Sequence, residues 1–252
     1  MQGIDSLDEL ALFKLAIYLE IPELLKWCES NKKVNRLVCN KDPIWNYHLN
    51  KEFSSEMQAF KSSHVSEEHN LSPKELYKLL YSLRKLKDKL KPFYDSKTLF
   101  ELYNIEEISL DNKNIKELPK EIGVLRNLKS LIMYNNKIKS IPKEIGNLNT
   151  LLILDLRINK IETIPKELAN LKSLQYLDLS QNQIKEIPKE IGSLVNLVKL
   201  ALNDNHIEHI PVEMGNLHNL KFLDLRYNKI KIIPKEVFNL NIKGFYIQRQ
   251  NI

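Results

Sequence analysis

The sequence predicts an α/β fold: a solenoid with a curved parallel sheet of about seven strands, preceded by an all-helical domain. Three observations support this prediction. A 23-residue pattern recurs through the second part of the chain, each copy contains a short alternation of apolar and polar residues, and the first hundred residues carry helix signals without a repeat. With 252 residues, 43% of them hydrophobic and 28% charged, the chain is long enough for two domains with their own cores.

The repeat reads Leu-x-x-Leu-x-Leu-x-x-Asn-x-Ile-x-x-Ile-Pro, and its clearest copies are anchored on Asn136, Asn159, Asn182, Asn205 and Asn228. An earlier copy begins at residue 105 with a lysine in place of the asparagine, and a partial copy follows residue 240. The Leu-x-Leu alternation at period two predicts one short strand per copy, with its leucines facing inward. One copy could not bury these leucines, whereas stacked copies can.

The remaining positions of the repeat predict how the copies are joined. The asparagine can satisfy buried backbone groups and form a ladder with its neighbours. The proline has no N–H to donate, so it suits the irregular return segment, where Lys-Glu-Ile-Gly-Asn-Leu predicts a turn or short helix. The pattern resembles the leucine-rich-repeat family, and Ile-Pro-Lys-Glu-Ile-Gly is similar to the intracellular class of Ras-pathway scaffolds and plant Ras-group proteins. This resemblance implies a protein-binding function without catalysis.

Helix signals dominate residues 1–104. Ser6-Leu-Asp-Glu9 and Ser72-Pro-Lys-Glu75 are predicted capping boxes, and Asp42-Pro43 is a third helix start. A helix from Pro73 to about Lys91 would place leucines along one stripe, with basic residues elsewhere. We interpret it as part of a cap over the first repeat; the alternative is a basic amphipathic helix that binds a membrane surface or calmodulin.

Residues 6–45 resemble an F-box, the helical module that docks on the Skp1 adaptor of cullin-based ubiquitin ligases. The matching positions are Leu7, Tyr18, Leu19, Leu24, Leu25 and Trp45. Asp8 stands where the family has proline, and Glu-Ser-Asn-Lys-Lys replaces its Val-Cys-x-x-Trp stretch. The resemblance implies that Skp1 contacts Leu7, Leu10, Leu19, Pro22, Leu24 and Leu25. A generic helical cap is the alternative.

These patterns predict three regions: an F-box-like domain over residues 1–60, a helical linker and N-terminal cap over 61–104, and repeats over 105–252. The resemblances together imply a substrate-recognition subunit that links a target to a Skp1–cullin ubiquitin ligase. A scaffold or signalling modulator without a ligase is the alternative. The composition, rich in Lys, Asn and Ile, also resembles that of F-box and repeat proteins of giant DNA viruses, which would place the protein in a host cytoplasm.

A partner is expected on the concave face of the sheet, where side chains flanking the strand leucines form columns across the repeats. Apolar, aromatic and charged residues converge there, and the predicted binding residues are Ile132, Tyr134, Ile153, Asp155, Arg157, Tyr176, Asp178, Phe222, Arg226, Tyr227 and Tyr246. The like charges Asp155 and Asp178 fall on adjacent strands, and a basic partner group would relieve their repulsion. The alternative is that Asp155 pairs with Arg157, and Asp224 with Arg226.

The sequence gives no sign of catalytic, metal or cofactor sites. Cys28 and Cys39 are the two cysteines, and we interpret them as small buried residues. Because disulfide-bonded caps are not indicated, and neither a signal peptide nor a membrane span is evident, we expect an intracellular, reducing compartment. Residues 105–252 contain 22 basic and 17 acidic side chains, mostly as Lys-Glu neighbours, so a basic stripe that would bind nucleic acid is not predicted.

Overall fold

The computed structural model describes residues 8–62 and 71–247. These residues divide into two compact units, one ending at Phe100 and the other beginning at Glu101. The first unit is helical, and the second contains a seven-stranded parallel sheet. The predicted fold class is therefore confirmed: a parallel-sheet solenoid follows a helical region.

The first unit consists of helices of very different lengths. They are α1 (Glu9–Ala16), α2 (Ile21–Ser30), α3 (Lys32–Val34) with a π-helix at Asn35–Cys39, α4 (Asp42–Glu52), α5 (Ser54–Ser62), α6 (Pro73–Lys89), α7 (Lys91–Tyr94) and α8 (Leu99–Tyr103), which continues into the second unit.

The helix starts follow local signals in the sequence. Ser72 and Glu75 form the predicted capping box of α6: the Ser72 N–H donates to the Glu75 carboxylate at 2.9 Å, and the Glu75 N–H donates to the Ser72 hydroxyl at 3.4 Å. Helix α4 begins at the predicted Asp-Pro pair. Helix α1 begins after Asp8, whose carboxylate accepts a backbone N–H at 2.7 Å, and the predicted cap Ser6 lies outside the described residues.

Aromatic side chains fill the core of the first unit. Trp45 of α4 is fully buried, its indole Nε1 donates to the Cys39 carbonyl at 2.7 Å, and its ring centroid lies 5.7 Å from that of Tyr77 on α6. Phe53 meets the same tyrosine at 5.4 Å. Three leucines of the predicted α6 stripe are completely buried beside them: Leu80, Leu83 and Leu86. Helices before and after residue 60 therefore contribute to one core.

A disulfide joins Cys28 of α2 to Cys39 at the end of the π-helix, with 5.9 Å between their Cα atoms. Both cysteines are buried, as predicted, but the sequence did not predict the bond. The short helices between them turn the chain so that residues 11 positions apart meet. The intracellular compartment expected from the sequence stays a prediction.

The sheet of the second unit has seven parallel strands in chain order. They are β1 (Glu107–Ser109), β2 (Ser130–Ile132), β3 (Ile153–Asp155), β4 (Tyr176–Asp178), β5 (Lys199–Ala201), β6 (Phe222–Asp224) and β7 (Gly244–Tyr246). The central residue of each of the first six strands is fully buried, as the period-two alternation predicts. From β1 to β6, equivalent positions of successive repeats pair directly, for example Ser130 with Ile153.

The predicted asparagine ladder is confirmed. The Asn182 side-chain oxygen accepts the Ile161 N–H of the preceding repeat at 2.9 Å, and its Nδ2 donates to the Leu156 carbonyl at 3.0 Å. Nδ2 also lies 3.1 Å from two carbonyl oxygens of its own repeat. The equivalent asparagines repeat this pattern, so each repeat boundary is crossed by bonds to backbone groups that would otherwise be buried unsatisfied.

Each repeat returns through a short helix after its proline, as predicted. These helices are Lys120–Val124, Lys143–Asn147, Lys166–Asn170, Lys189–Ser193 and Val212–Asn216, all of the 3-10 type, and α9 (Lys235–Phe238). The glycine in the segment packs against the next repeat: a Cβ on Gly192 would collide with the Glu213 carbonyl oxygen. Ala169 takes this position in one repeat and Phe238 takes it in the last.

Candidate functional site

The concave face is defined here by four columns of side chains that cross the sheet. The first column holds the residue before the buried central residue of each strand, and the second column holds the residue after it. The third and fourth columns hold the residues two and three positions after the end of each strand. Strand pairing confirms the predicted first and second columns: Glu107, Ser130, Ile153, Tyr176, Lys199 and Phe222; then Ser109, Ile132, Asp155, Asp178, Ala201, Asp224 and Tyr246.

The first column is accessible to a partner. Ile153 is 38% exposed, and Tyr176 and Phe222 are half-buried. Lys199, which is not among the predicted binding residues, lies between these two rings. Its Nζ is 4.5 Å from the Tyr176 ring centroid and 5.1 Å from that of Phe222. Its position between two aromatic residues in the column was the signal that could have identified it.

The second column contains Asp155 and Asp178, which the sequence predicts as binding residues with like charges on adjacent strands. Asp155, Asp178 and Asp224 are buried, because each carboxylate turns back to accept the N–H of the residue two positions later, at 3.0 to 3.2 Å. These aspartates therefore stabilise the turn that follows the strand. The predicted local pairs also form, with Arg157 Nε 3.3 Å from the Asp155 carboxylate and Arg226 Nη2 2.6 Å from that of Asp224.

Aromatic rings and guanidinium groups meet along the third column. The Arg157 guanidinium lies 4.8 Å from the centroid of the half-buried Tyr134 ring, and the Arg226 guanidinium lies 5.0 Å from that of Tyr246. Tyr246 packs against Phe222 at 5.3 Å between centroids. Gly244, opposite Phe222 in the sheet, leaves room for these rings, since a Cβ there would lie 2.9 Å from the Phe222 ring.

The fourth column has an unusual backbone. Ile158 and Tyr227 both have a φ of 55°, in the left-handed region that residues with a Cβ seldom adopt. Asn135, with a φ of 53°, and Asp204, with a φ of 55°, occupy the same turn in other repeats and suit it better. The Ile158 and Tyr227 side chains are 40% and 59% exposed, so they project from this turn into solvent.

The predicted Skp1-binding residues have diverse environments. Leu10 is 61% exposed on α1, whereas Leu19 is half-buried and Leu24 of α2 is fully buried. Leu24 therefore belongs to the core of the first unit. Leu7 lies outside the described residues, and the Pro22 and Leu25 side chains also lie outside what the structure describes.

Three or more His, Cys, Asp or Glu side chains in a metal-binding arrangement do not occur within residues 8–62 and 71–247. Over the same residues, no helix combines the length and apolar character needed to cross a membrane.

Comparisons with known proteins identify repeats in this region. Family models match residues 127–148 (Leucine Rich Repeat), 143–206 (Leucine-rich repeat region) and 195–241 (Leucine rich repeat). Curated protein sequences gave no match. Among solved structures, a leucine-rich-repeat protein of Leptospira interrogans is 38% identical, with a TM-score of 0.56 over 60% of this chain and 38% of that chain.

Two plant receptor structures are also similar. The ectodomain of the membrane receptor kinase GASSHO1/SCHENGEN3 from Arabidopsis thaliana, solved with CASPARIAN STRIP INTEGRITY FACTOR 2, is 32% identical, with a TM-score of 0.54 over 57% of this chain and 18% of that chain. The Arabidopsis receptor kinase HAESA, solved with the peptide hormone IDA and the co-receptor SERK1, is 35% identical, with a TM-score of 0.51 over 58% and 26%. This chain therefore spans 38% or less of each of the three structures.

Proposed function

Since this chain carries a leucine-rich-repeat domain, we propose that the concave face of its sheet binds an extended segment of another protein. The two plant receptors were solved with peptide or protein partners, which supports the same class of ligand here. Aromatic residues are enriched at the energetic centres of protein interfaces, and five described residues of this face are aromatic: Tyr134, Tyr176, Phe222, Tyr227 and Tyr246.

Ile158 and Tyr227 carry the proposal. A left-handed backbone conformation costs a residue with a Cβ about 1–2 kcal/mol, and a branched Cβ is among the least tolerant. Because both side chains are largely exposed, packing within the chain does little to offset that cost. Each of these residues exposes a bulky side chain although its backbone conformation lowers stability. We expect such an arrangement where the side chain contacts a partner.

A peptide-display selection tests this proposal. The full chain is immobilised, phage-displayed random peptides are selected on it, and Kd values of the selected peptides are measured by fluorescence anisotropy. We expect the double variant Ile158→Asn, Tyr227→Asn to weaken binding at least about tenfold, since each contact residue contributes more than about 1 kcal/mol.

The matched control for this experiment is Val195→Asn. Val195 is also apolar and 48% exposed, but it lies in the turn after a return helix, where an earlier repeat carries Asn149. It should leave Kd unchanged. Peptides that bind the double variant as tightly as the natural chain would show that the concave face is not the binding site.

We further propose that the first unit docks on Skp1 and that the protein acts as a ligase adaptor in the cytoplasm. Three exposed apolar residues in and just after α1 support a partner surface there: Leu10 at 61%, Leu15 at 48% and Tyr18 at 84% exposure. A scaffold without a ligase partner is the alternative.

Calorimetric titration of the full chain with Skp1, in the presence of a reductant, distinguishes these two functions. An adaptor shows saturable binding that the exposed-site variant Leu10→Lys, Tyr18→Lys abolishes, with no change in peptide binding by the repeats. Phe93→Lys, an exposed substitution elsewhere in the first unit, is the control. A folded chain that gives no heat with Skp1 supports the scaffold.

A further inference from the structure

We propose that the β1–β4 half of the concave face selects a basic segment of the partner, with lysine or arginine side chains seated over Asp155 between apolar residues. This inference rests on the proposed peptide-binding function and adds the chemical class and direction of the ligand. A segment bound across the strands would place its basic part over β1–β4 and its aromatic or neutral part over β5–β7.

The two halves of the face differ in charge. The four columns of the β1–β4 half contain one cation, Arg157, and four carboxylates: Glu107, Asp111, Asp155 and Asp178. Among its described residues, the β5–β7 half balances Asp204 and Asp224 against Lys199 and Arg226. Residues 105–252 as a whole carry more basic than acidic side chains, 22 against 17. The acidic half therefore stands out against a basic domain, which is the complementarity that favours a basic partner.

The three buried aspartates of the second column are satisfied to different extents. The Asp224 carboxylate accepts two hydrogen bonds from the Arg226 side chain, at 3.0 and 2.6 Å. Asp178 accepts the hydroxyl of Ser180 at 2.5 Å and that of Tyr176 at 3.1 Å.

Asp155 has the fewest donors of the three. Within the part of the chain that the structure describes, it accepts one backbone N–H at 3.2 Å, and Arg157 Nε lies 3.3 Å away without forming a hydrogen bond. A carboxylate has about four acceptor positions, so Asp155 retains capacity for donors from a ligand. Burial raises its pKa above the ordinary value, and the neighbouring carboxylates Asp178 and Asp111 act in the same direction. A cation bound beside the Asp155 carboxylate would lower its pKa, and so would oppose the effects of burial, Asp178 and Asp111.

Apolar residues flank this carboxylate on the accessible side of the sheet. Ile132 is its direct partner on the adjacent strand, and Ile153 lies two residues earlier on the same strand and face. Ile158 projects from the turn that follows. Lysine and arginine combine an alkyl stem with a charged end, so they match an isoleucine-lined surface that leads to a carboxylate.

An acidic segment is a poorer match for the other half. The Lys199 ammonium group donates to the Tyr176 hydroxyl at 3.1 Å and lies over two aromatic rings. Arg226 is held in two hydrogen bonds by Asp224. Both cations are engaged within the chain, so an incoming carboxylate would have to displace existing partners.

The composition and binding of the selected peptides test this inference on the full chain. We expect enrichment of lysine and arginine, tighter binding at low ionic strength, and a Kd about tenfold higher with Asp155→Asn. Asp111→Asn should also weaken binding. Its carboxylate is half-exposed, so the chain is expected to fold and this variant tests the inference even if the buried Asp155 does not tolerate substitution. Glu208→Gln is the control, since it removes one negative charge at an exposed position outside the four columns.

The outcomes separate the two proposals. Peptides that depend on Ile158 and Tyr227 but show no basic preference, or bind equally well to Asp111→Asn and Asp155→Asn, overturn the charge selectivity and leave the peptide-binding function standing. A library that yields no binding peptide overturns the proposed function, and this inference with it. Basic peptides whose binding is weakened by the β1–β4 variants and not by Glu208→Gln support both.

Discussion

The two units are stabilised in opposite ways. In the first, helices from different parts of the sequence meet around one irregular core, where Trp45, Phe53 and Tyr77 make contacts that occur once. In the second, similar leucine, asparagine and glycine contacts recur at most repeat boundaries. A core built from unique contacts concentrates stability in a few residues, whereas a stacked array distributes it over nearest-neighbour boundaries. Substitutions in the two units should therefore differ in the size and spread of their effects.

The largest effect is expected from Trp45→Ala. Loss of a fully buried indole and its hydrogen bond to the Cys39 carbonyl should lower the free energy of unfolding by about 3–5 kcal/mol. Both tryptophans, Trp27 and Trp45, lie in the first unit, so urea unfolding followed by Trp27 fluorescence reports on that unit. A loss below about 1 kcal/mol would contradict the central place given to this core.

Reduction of the Cys28–Cys39 bond should have the next largest effect. Closing a loop of this size stabilises a folded unit by about 3 kcal/mol through the lower entropy of the unfolded chain. Urea unfolding with and without dithiothreitol measures the difference, and the double variant Cys28→Ser, Cys39→Ser, insensitive to the reductant, is the control. A first unit that is equally stable when reduced would show that the bond does not stabilise it.

In the repeats, Asn182→Ala should cost about 2 kcal/mol. The Ile161 N–H loses its acceptor and three carbonyls lose a donor, and one unsatisfied buried group costs about 1–3 kcal/mol. Circular dichroism during thermal unfolding measures the change. Asn149→Ala, at an exposed asparagine outside the ladder, should have almost no effect. Equal effects at both positions would mean that the ladder does not stabilise the stack.

The smallest expected effect is a pH dependence confined to the first unit. Burial of His48 lowers its pKa below the ordinary 6.5, although Glu52, 3.5 Å away, acts in the opposite direction. Because the unfolded chain takes up this proton first as the pH falls, stability is fully present above about pH 6.5 and declines below it. Tryptophan-detected unfolding across that range measures the trend, and His48→Gln should flatten it. A free energy of unfolding that increases as the pH falls through 6 would contradict this prediction.

The same comparison explains which features the sequence could predict. The strands, their register, the asparagine ladder and the return helices follow from a period that is local in the chain, so one copy predicts the next. The burial of Asp155 and Asp178 depends on the side chains and N–H groups of the following turn, which the column position alone does not reveal. Lys199 was overlooked because its significance comes from rings one repeat away on either side.

In the first unit, the helix starts were readable because caps are local, but the packing was not. Tyr77 meets Trp45 across 32 positions of sequence, and no period relates the two. The disulfide depends on how a π-helix turns the chain between Cys28 and Cys39, which composition does not encode. The buried state of Leu24, against its predicted place on a docking surface, has the same origin, because a helix stripe does not show which partner it faces.

The glycine position at which one repeat packs against the next also determines where the stack of repeats can be lengthened. A duplicated repeat inserted upstream of the last one would offer its neighbour the small residue that the contact requires, as Gly192 does. A copy inserted directly after α9 would have to pack against Phe238, a bulky side chain that is 68% exposed. Gene duplication or protein engineering can therefore lengthen the sheet by copying internal repeats, whereas a repeat placed directly after α9 requires a substitution at Phe238.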